Sequence, residues 1–233
     1  MDLFFDLDRT LWDHEAATRA TLAELAEEHL PWHVDALTFA KQFQAINDHL
    51  WEVIQSEGYG PEYARKRRFS QWLERYGPDL SQKEHRELAA ALEKDYLATM
   101  PDQGATYPGV IQSVTRWLKE GHRLHVITNG PLKAQQRKLN AIELLDVMQT
   151  LTCADEVGIY KPHRPIFAHA LRVAGAKAEE TWMMGDSLLR DVIGGHRAGM
   201  RTAWFTGSGA LSGGLENPAD ITFESWLGLD ISR

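Results

Sequence analysis

The spacing of apolar residues changes period twice along the chain. Residues 3–7 (LFFDL) form a short apolar run that predicts a buried strand. From residue 14 to about 100 the spacing is helical. Leu22, Leu25, Ala26 and Leu30 share one face, and Pro31 closes that helix. A second helix is predicted over 34–54, punctuated by Gly58, Gly60 and Pro61, and a third over 63–75. Ser81 followed by Glu84 has the pattern of a capping box and starts a fourth. No strand pattern interrupts this block.

After Pro101 the rhythm alternates. Helices are predicted over 110–120, 133–145, 165–174 and 188–198, and strands over 123–128, 151–152, 181–184 and 202–205. Pro165 suits the first turn of its helix, and the glycine-rich stretch 207–214 is expected to be flexible. Alternating strands and helices imply a parallel sheet covered on both faces. The fold class is therefore α/β, with residues 1–14 and 101–233 forming the core. Residues 15–100 read as an inserted all-helical domain. In such sheets ligands bind beyond the carboxyl ends of the strands.

Composition narrows the function classes. With 233 residues the chain has room for a core and an inserted subdomain. A formal net charge of -8 argues against a general nucleic-acid binder, while a bound cation would still admit a small phosphorylated partner. One cysteine, Cys153, excludes an internal disulfide and a cysteine-based zinc cluster. Asp2, Asp6 and Asp8 near the start do not read as a signal peptide, and no segment has the length of a membrane span. A cytoplasmic protein without a membrane partner is expected, either a monomer or a homodimer.

The candidate chemistry lies at the predicted strand ends. Asp6 and Asp8 share one side if their strand continues, and paired carboxylates there need a cation, a shared proton or a turn-capping role. Mg²⁺ suits such oxygen ligands. In GDSLLRD (185–191), Asp186 follows a strand and Asp191 lies in the first turns of a helix. Helix capping accounts for each of these separately. Thr128 and Asn129 end another strand, where a hydroxyl and main-chain N–H groups can hold an anionic oxygen. Lys161 precedes Pro162 in a loop and can neutralise a phosphate.

The order Asp-x-Asp-x-Thr, Thr-Asn, Lys-Pro and Gly-Asp-Ser-x-x-x-Asp resembles the haloacid dehalogenase-like hydrolase superfamily. The resemblance spans residues 1–13 and 107–223, and it implies a Rossmann-like core with a helical cap of the C1 type. It also implies that Asp6 is a nucleophile forming an aspartyl-phosphate and that Asp8 is the general acid and base. Thr128, Asn129 and Lys161 correspond to phosphate-binding residues. Asp6, the Asp8 carbonyl and Asp186 correspond to Mg²⁺ ligands, and Asp191 orients the metal shell or Lys161. Asp8 and Asp186 favour a phosphatase over a carbon–halogen hydrolase. A small phosphorylated metabolite is the implied substrate, with the nucleotidase-like and phosphoglycolate phosphatase-like branches most similar. A phosphomutase and a non-catalytic phospho-ligand-binding protein are the alternatives. Two positions depart from the family pattern. Arg9 stands where a glycine, small or acidic residue is frequent, and Arg190, where asparagine is frequent, is placed to pair with Asp191.

The remaining conspicuous residues read as structural. The basic cluster RKRR at 65–68 is expected to be a solvated surface, and Trp12 a hinge or packing residue. His163 reads as a loop-surface residue and Cys153 as a small, partly buried one.

Overall fold

A computed structural model describes residues 1–210 and 212–231, apart from the side chain of Gln55. Leu211, within the stretch expected to be flexible, lies outside the described residues, as do Ser232 and Arg233. The chain forms two compact units: Met1–His14 with Gly104–Arg233, and Glu15–Gln103.

The first unit opens with β1 (Asp2–Phe5). The helical segment α1 (His14–His29), α2 (Ala36–Glu57), α3 (Glu62–Arg65), α4 (Arg68–Tyr76) and α5 (Gln82–Thr99) follows. The alternating part comprises α6 (Val110–Lys119), β2 (Arg123–Thr128), α7 (Leu132–Ala141), β3 (Met148–Cys153), α8 (Ala154–Val157) and α9 (Arg164–Ala174). It ends with β4 (Thr181–Gly185), a π-helical turn (Leu188–Ile193), α10 (Gly194–Arg197), β5 (Arg201–Phe205) and β6 (Ile221–Phe223). The six strands form one sheet in the order β3-β2-β1-β4-β5-β6, and every pairing is parallel.

β1 occupies the centre, and its two phenylalanines explain why both faces are covered. Successive side chains on a strand point to opposite faces. Phe4 packs with Ile127, Met183, Ile166 and Phe167 beneath α9. Phe5 stacks against Trp117 of α6 and Trp226, a ring cluster that Phe205 and Phe223 complete. A continuous apolar run is what a strand buried on both sides requires. The chain runs from β1 to β2 on one side and β3 lies beyond it, while β4 lies on the other side. The order therefore reverses at β1, the kind of switch point beyond whose strand ends parallel sheets bind ligands.

The helical unit has its own core of Phe39, Phe43, Phe69, Trp72 and Tyr96. The expected capping box is present, with Ser81 accepting from the Glu84 N–H and Glu84 accepting from the Ser81 N–H. The expected third helix is instead two helices, broken at Lys66 and Arg67. The basic cluster is also not a solvated face. Arg65 pairs with Glu62, and Arg67 lies over the Tyr63 ring. Arg68 is 6% exposed and makes two 2.7 Å bonds to Glu93. The break turns Arg68 inward, over Tyr96.

Removing one partner of a buried ion pair leaves the other charge uncompensated. Glu93→Ala is expected to destabilise the helical unit by about 3 kcal/mol, and Arg68→Met with Glu93→Leu by much less. Urea unfolding of the single and double variants checks this. Equal losses in both would mean that the packing of Arg68, rather than its charge, carries the cost.

Candidate active site

Three strand ends and one loop converge on a buried charged cluster within the first unit. Asp6 is the first residue beyond β1, and its N–H still donates to the Met184 carbonyl at 2.9 Å. Thr128 ends β2, and Asp186 follows β4 directly. Lys161 enters from the loop after α8. Its ammonium donates to Asp6 Oδ1 at 2.6 Å, Asp191 Oδ1 at 2.7 Å and the Ile127 carbonyl at 2.8 Å. These three bonds use all three ammonium donors. Burial alone would drive the Lys161 proton off, but the two carboxylates outweigh it and raise its pKa.

Local backbone features make this cluster possible. The expected helix over 188–198 begins as a π-helical turn, in which Val192 N–H reaches the Ser187 carbonyl at 3.3 Å. Such turns are frequent at functional sites. Here the turn leaves Asp191 accepting from the Ser187 N–H at 3.0 Å while it holds Lys161. Gly185 is required beneath it, since a Cβ there would lie 2.3 Å from the Asp191 carboxyl carbon. The Asn129 side chain clasps the Lys161 main chain, accepting from its N–H at 2.7 Å and donating to its carbonyl at 3.1 Å. Thr10 joins two acids: the Asp186 N–H donates to its hydroxyl at 3.0 Å, and the hydroxyl donates to Asp6 Oδ2 at 3.4 Å.

Asp8 is placed differently from the expectation of two acids on one continuing strand. β1 ends at Phe5, and the chain tightens so that Thr10, Leu11 and Trp12 all donate their N–H groups to the Leu7 carbonyl. Asp8 Oδ1 accepts from Lys138 Nζ at 2.5 Å, and Oδ2 accepts from Gln135 Nε2 at 3.3 Å. The two acids therefore have separate lysines. Arg9 sits in this turn with φ 65°, the left-handed region where glycine is least strained. Arg190 donates to the Ser187 hydroxyl at 3.1 Å rather than pairing with Asp191, because Asp191 is committed to Lys161. The charges of Arg190 and Arg9 instead lie near enough to Asp186 to oppose the rise in its pKa.

The acids differ in proton affinity. Burial pushes Asp6 up to about 6, with Lys161 opposing and Asp191 and Asp8 reinforcing the rise. Burial, reinforced by Asp191 and Asp6, pushes Asp186 up to about 8. Burial pushes Asp8 up, but the charges of Lys138 and His14 together with the hydrogen bonds from Lys138 and Gln135 outweigh it and hold the carboxyl below its ordinary value. Oxygens of Asp6, Asp186 and Asp191 lie within 4.8 Å of one another. Three buried carboxylates around one ammonium leave excess negative charge, and an all-oxygen donor set fits a hard divalent cation. Asp191 belongs to this group by position, whereas the Asp8 side chain does not.

A sequence model of the haloacid dehalogenase-like hydrolases matches residues 3–199. The chain belongs to this family. A glyceraldehyde 3-phosphate phosphatase of Pyrococcus furiosus is 31% identical over 203 residues, 87% of this chain and 79% of that one. The pyrimidine 5'-nucleotidase YjjG of Escherichia coli is 28% identical over 207 residues, 87% of this chain and 84% of its own. Among solved structures, the putative HAD-hydrolase YfnB from Bacillus subtilis, described as bound to magnesium, superposes with a TM-score of 0.79. It is 24% identical and covers 96% of this chain and 94% of its own.

All seven residues singled out from the sequence lie at this sheet edge or support it. Thr128 donates to Gln135 Oε1 at 3.2 Å and accepts from the Gly130 N–H at 3.1 Å. Trp12 is fully buried, Cys153 is fully rather than partly buried, and His163 is exposed at the start of α9. Three residues escaped the sequence reading: Gln135, Lys138 and Trp204, whose indole donates to the Asp186 carbonyl at 2.7 Å. A signal for the first two existed. Positions 135, 138, 139 and 142 form one helical stripe, and its first two members are polar yet buried.

Between the ordinary carboxylate range and about pH 8, folded Asp186 keeps a proton that the unfolded chain releases. Stability therefore falls as pH rises through that window. In EDTA the melting temperature is expected to fall from pH 5 to pH 8. Asp186→Asn should reduce that fall by about 3 °C. An unchanged slope in the variant would show that Asp186 is not the strained acid.

Proposed function

We propose that this chain is a Mg²⁺-dependent phosphomonoester hydrolase acting on a small phosphorylated metabolite through an aspartyl-phosphate. The observation that carries the reading is the Asp6–Lys161–Asp191 cluster, with Asp8 two residues on and served by its own lysine. The relatives named as phosphatase and nucleotidase support the reaction class. In this reading the first unit is the catalytic core and the helical unit is its cap.

An Asp6 carboxylate oxygen attacks phosphorus, and the bond from phosphorus to the leaving oxygen breaks. Asp8 gives its proton to that oxygen. Asp8 then takes a proton from water as the water oxygen attacks the phosphorus and the bond to Asp6 breaks, which restores both acids. Lys161 and the Thr128 hydroxyl hold phosphate oxygens, with the Asn129 main chain beside them. The Asn129 side chain keeps Lys161 in place. Asp6, Asp186 and the Asp8 carbonyl would hold Mg²⁺, which when bound offsets the repulsion between carboxylate and phosphate. Asp191 keeps Lys161 charged and aimed at Asp6.

Phosphate release should be measured from p-nitrophenyl phosphate, glyceraldehyde 3-phosphate, phosphoglycolate and pyrimidine nucleoside monophosphates. Release is expected with Mg²⁺ and not with EDTA. Asp6→Asn is expected to lose about 10⁴-fold or more while remaining folded. Normal turnover by that variant would remove Asp6 as nucleophile. A folded, Mg²⁺-supplied wild type that releases no phosphate from any compound would point to a phosphomutase or a binding protein.

A further inference from the structure

Asp8 is held by a device that the family motifs do not include. Both of its carboxylate oxygens accept from α7, Oδ1 from Lys138 and Oδ2 from Gln135. These two residues stand three apart and share one face of the helix. Asp8 keeps part of its surface open, its side chain being 31% exposed, whereas that of Lys138 is 7% exposed. The acid therefore reaches outward while its anchor stays inside.

The Lys138 ammonium has a second partner. Lys138 Nζ lies 4.4 Å from the centre of the Trp12 ring, within cation–π range. Trp12 belongs to the same turn as Asp8, and the two are joined by a bridge between their main chains. Gln135 connects the device to the other strand edge, since the Thr128 hydroxyl donates to its Oε1 at 3.2 Å. A Cβ on Gly130 would lie 2.1 Å from Gln135 Nε2, so the glycine makes room for this link. A lysine serving only as a surface partner needs neither the burial nor the aromatic seat.

We propose that Lys138 is a positioning residue that aims the Asp8 carboxyl at the leaving oxygen, with Gln135 fixing the plane of the carboxyl. This rests on the assignment of Asp8 as general acid. Lys138 acts through Asp8, whose carboxyl it holds. An acid matters most when the leaving group is strongly basic, so misaiming it penalises poor leaving groups selectively.

The test compares kcat/KM for phenyl phosphate and p-nitrophenyl phosphate, with Mg²⁺, in wild type, Lys138→Met, Lys138→Arg and Asp8→Asn. Phenolate is the more basic leaving group. Lys138→Met is expected to lose about tenfold more on phenyl phosphate than on p-nitrophenyl phosphate. Asp8→Asn should show the same selectivity more strongly, and Lys138→Arg should restore most of the loss. Thermal melts verify folding. If Lys138→Met does not fold, Lys138→Gln carries the same comparison. Selectivity in Asp8→Asn with equal losses, or none, in Lys138→Met would overturn the positioning role and leave Asp8 as the acid. Absence of selectivity in Asp8→Asn would remove the acid assignment and the inference with it.

Discussion

The site depends on one ammonium group. Lys161 lies among Asp6, Asp191 and the Ile127 carbonyl, with three short bonds and almost no exposure. An isolated charge in such a place carries a desolvation penalty of several kcal/mol. Two carboxylates more than compensate it, and the lysine stays protonated. The reverse does not hold. Burial, reinforced by the repulsion among three acids that one ammonium cannot satisfy, keeps Asp6 and Asp186 above their ordinary range. The surplus negative charge is the physical reason that a hard cation belongs to the reading of this site.

Much of the fold serves to keep that ammonium in place. The sheet order reverses at β1, which brings the ends of β1, β2 and β4 side by side. The Asn129 amide grips the Lys161 main chain from the end of β2. The π-helical turn after β4 presents Asp191, and Gly185 leaves space for its carboxyl. None of these is replaceable by a generic apolar contact. The large core residues, Phe4 and Phe5 above all, fix the sheet but do not touch the charge pattern.

The sequence made the motif residues and the architecture legible for related reasons. Acids and hydroxyls at the ends of apolar strands break a strong local pattern, so Asp6, Thr128 and Asp186 stand out. The helical block was equally plain from its 3.6-residue spacing. β6 was not, because three residues after a polar stretch carry almost no periodic signal. The break at Lys66 was hidden because helical spacing continues across it while Arg68 turns inward. Lys138 and Gln135 were missed for the opposite reason. They lie mid-helix among other polar residues, and although their stripe with Leu139 and Ile142 marks a buried face, their role depends on partners 130 and 127 positions away.

Two nearby carboxylates have opposite tendencies although each has its own lysine, and the proposed chemistry needs that difference reversed. Asp6 must act as an anion, yet burial raises its proton affinity. Asp8 must begin as an acid, yet Lys138 holds it ionised. Added positive charge beside Asp6 and Asp186 lowers the first. A phosphate dianion brought near Asp8 raises the second, because a like charge disfavours ionisation.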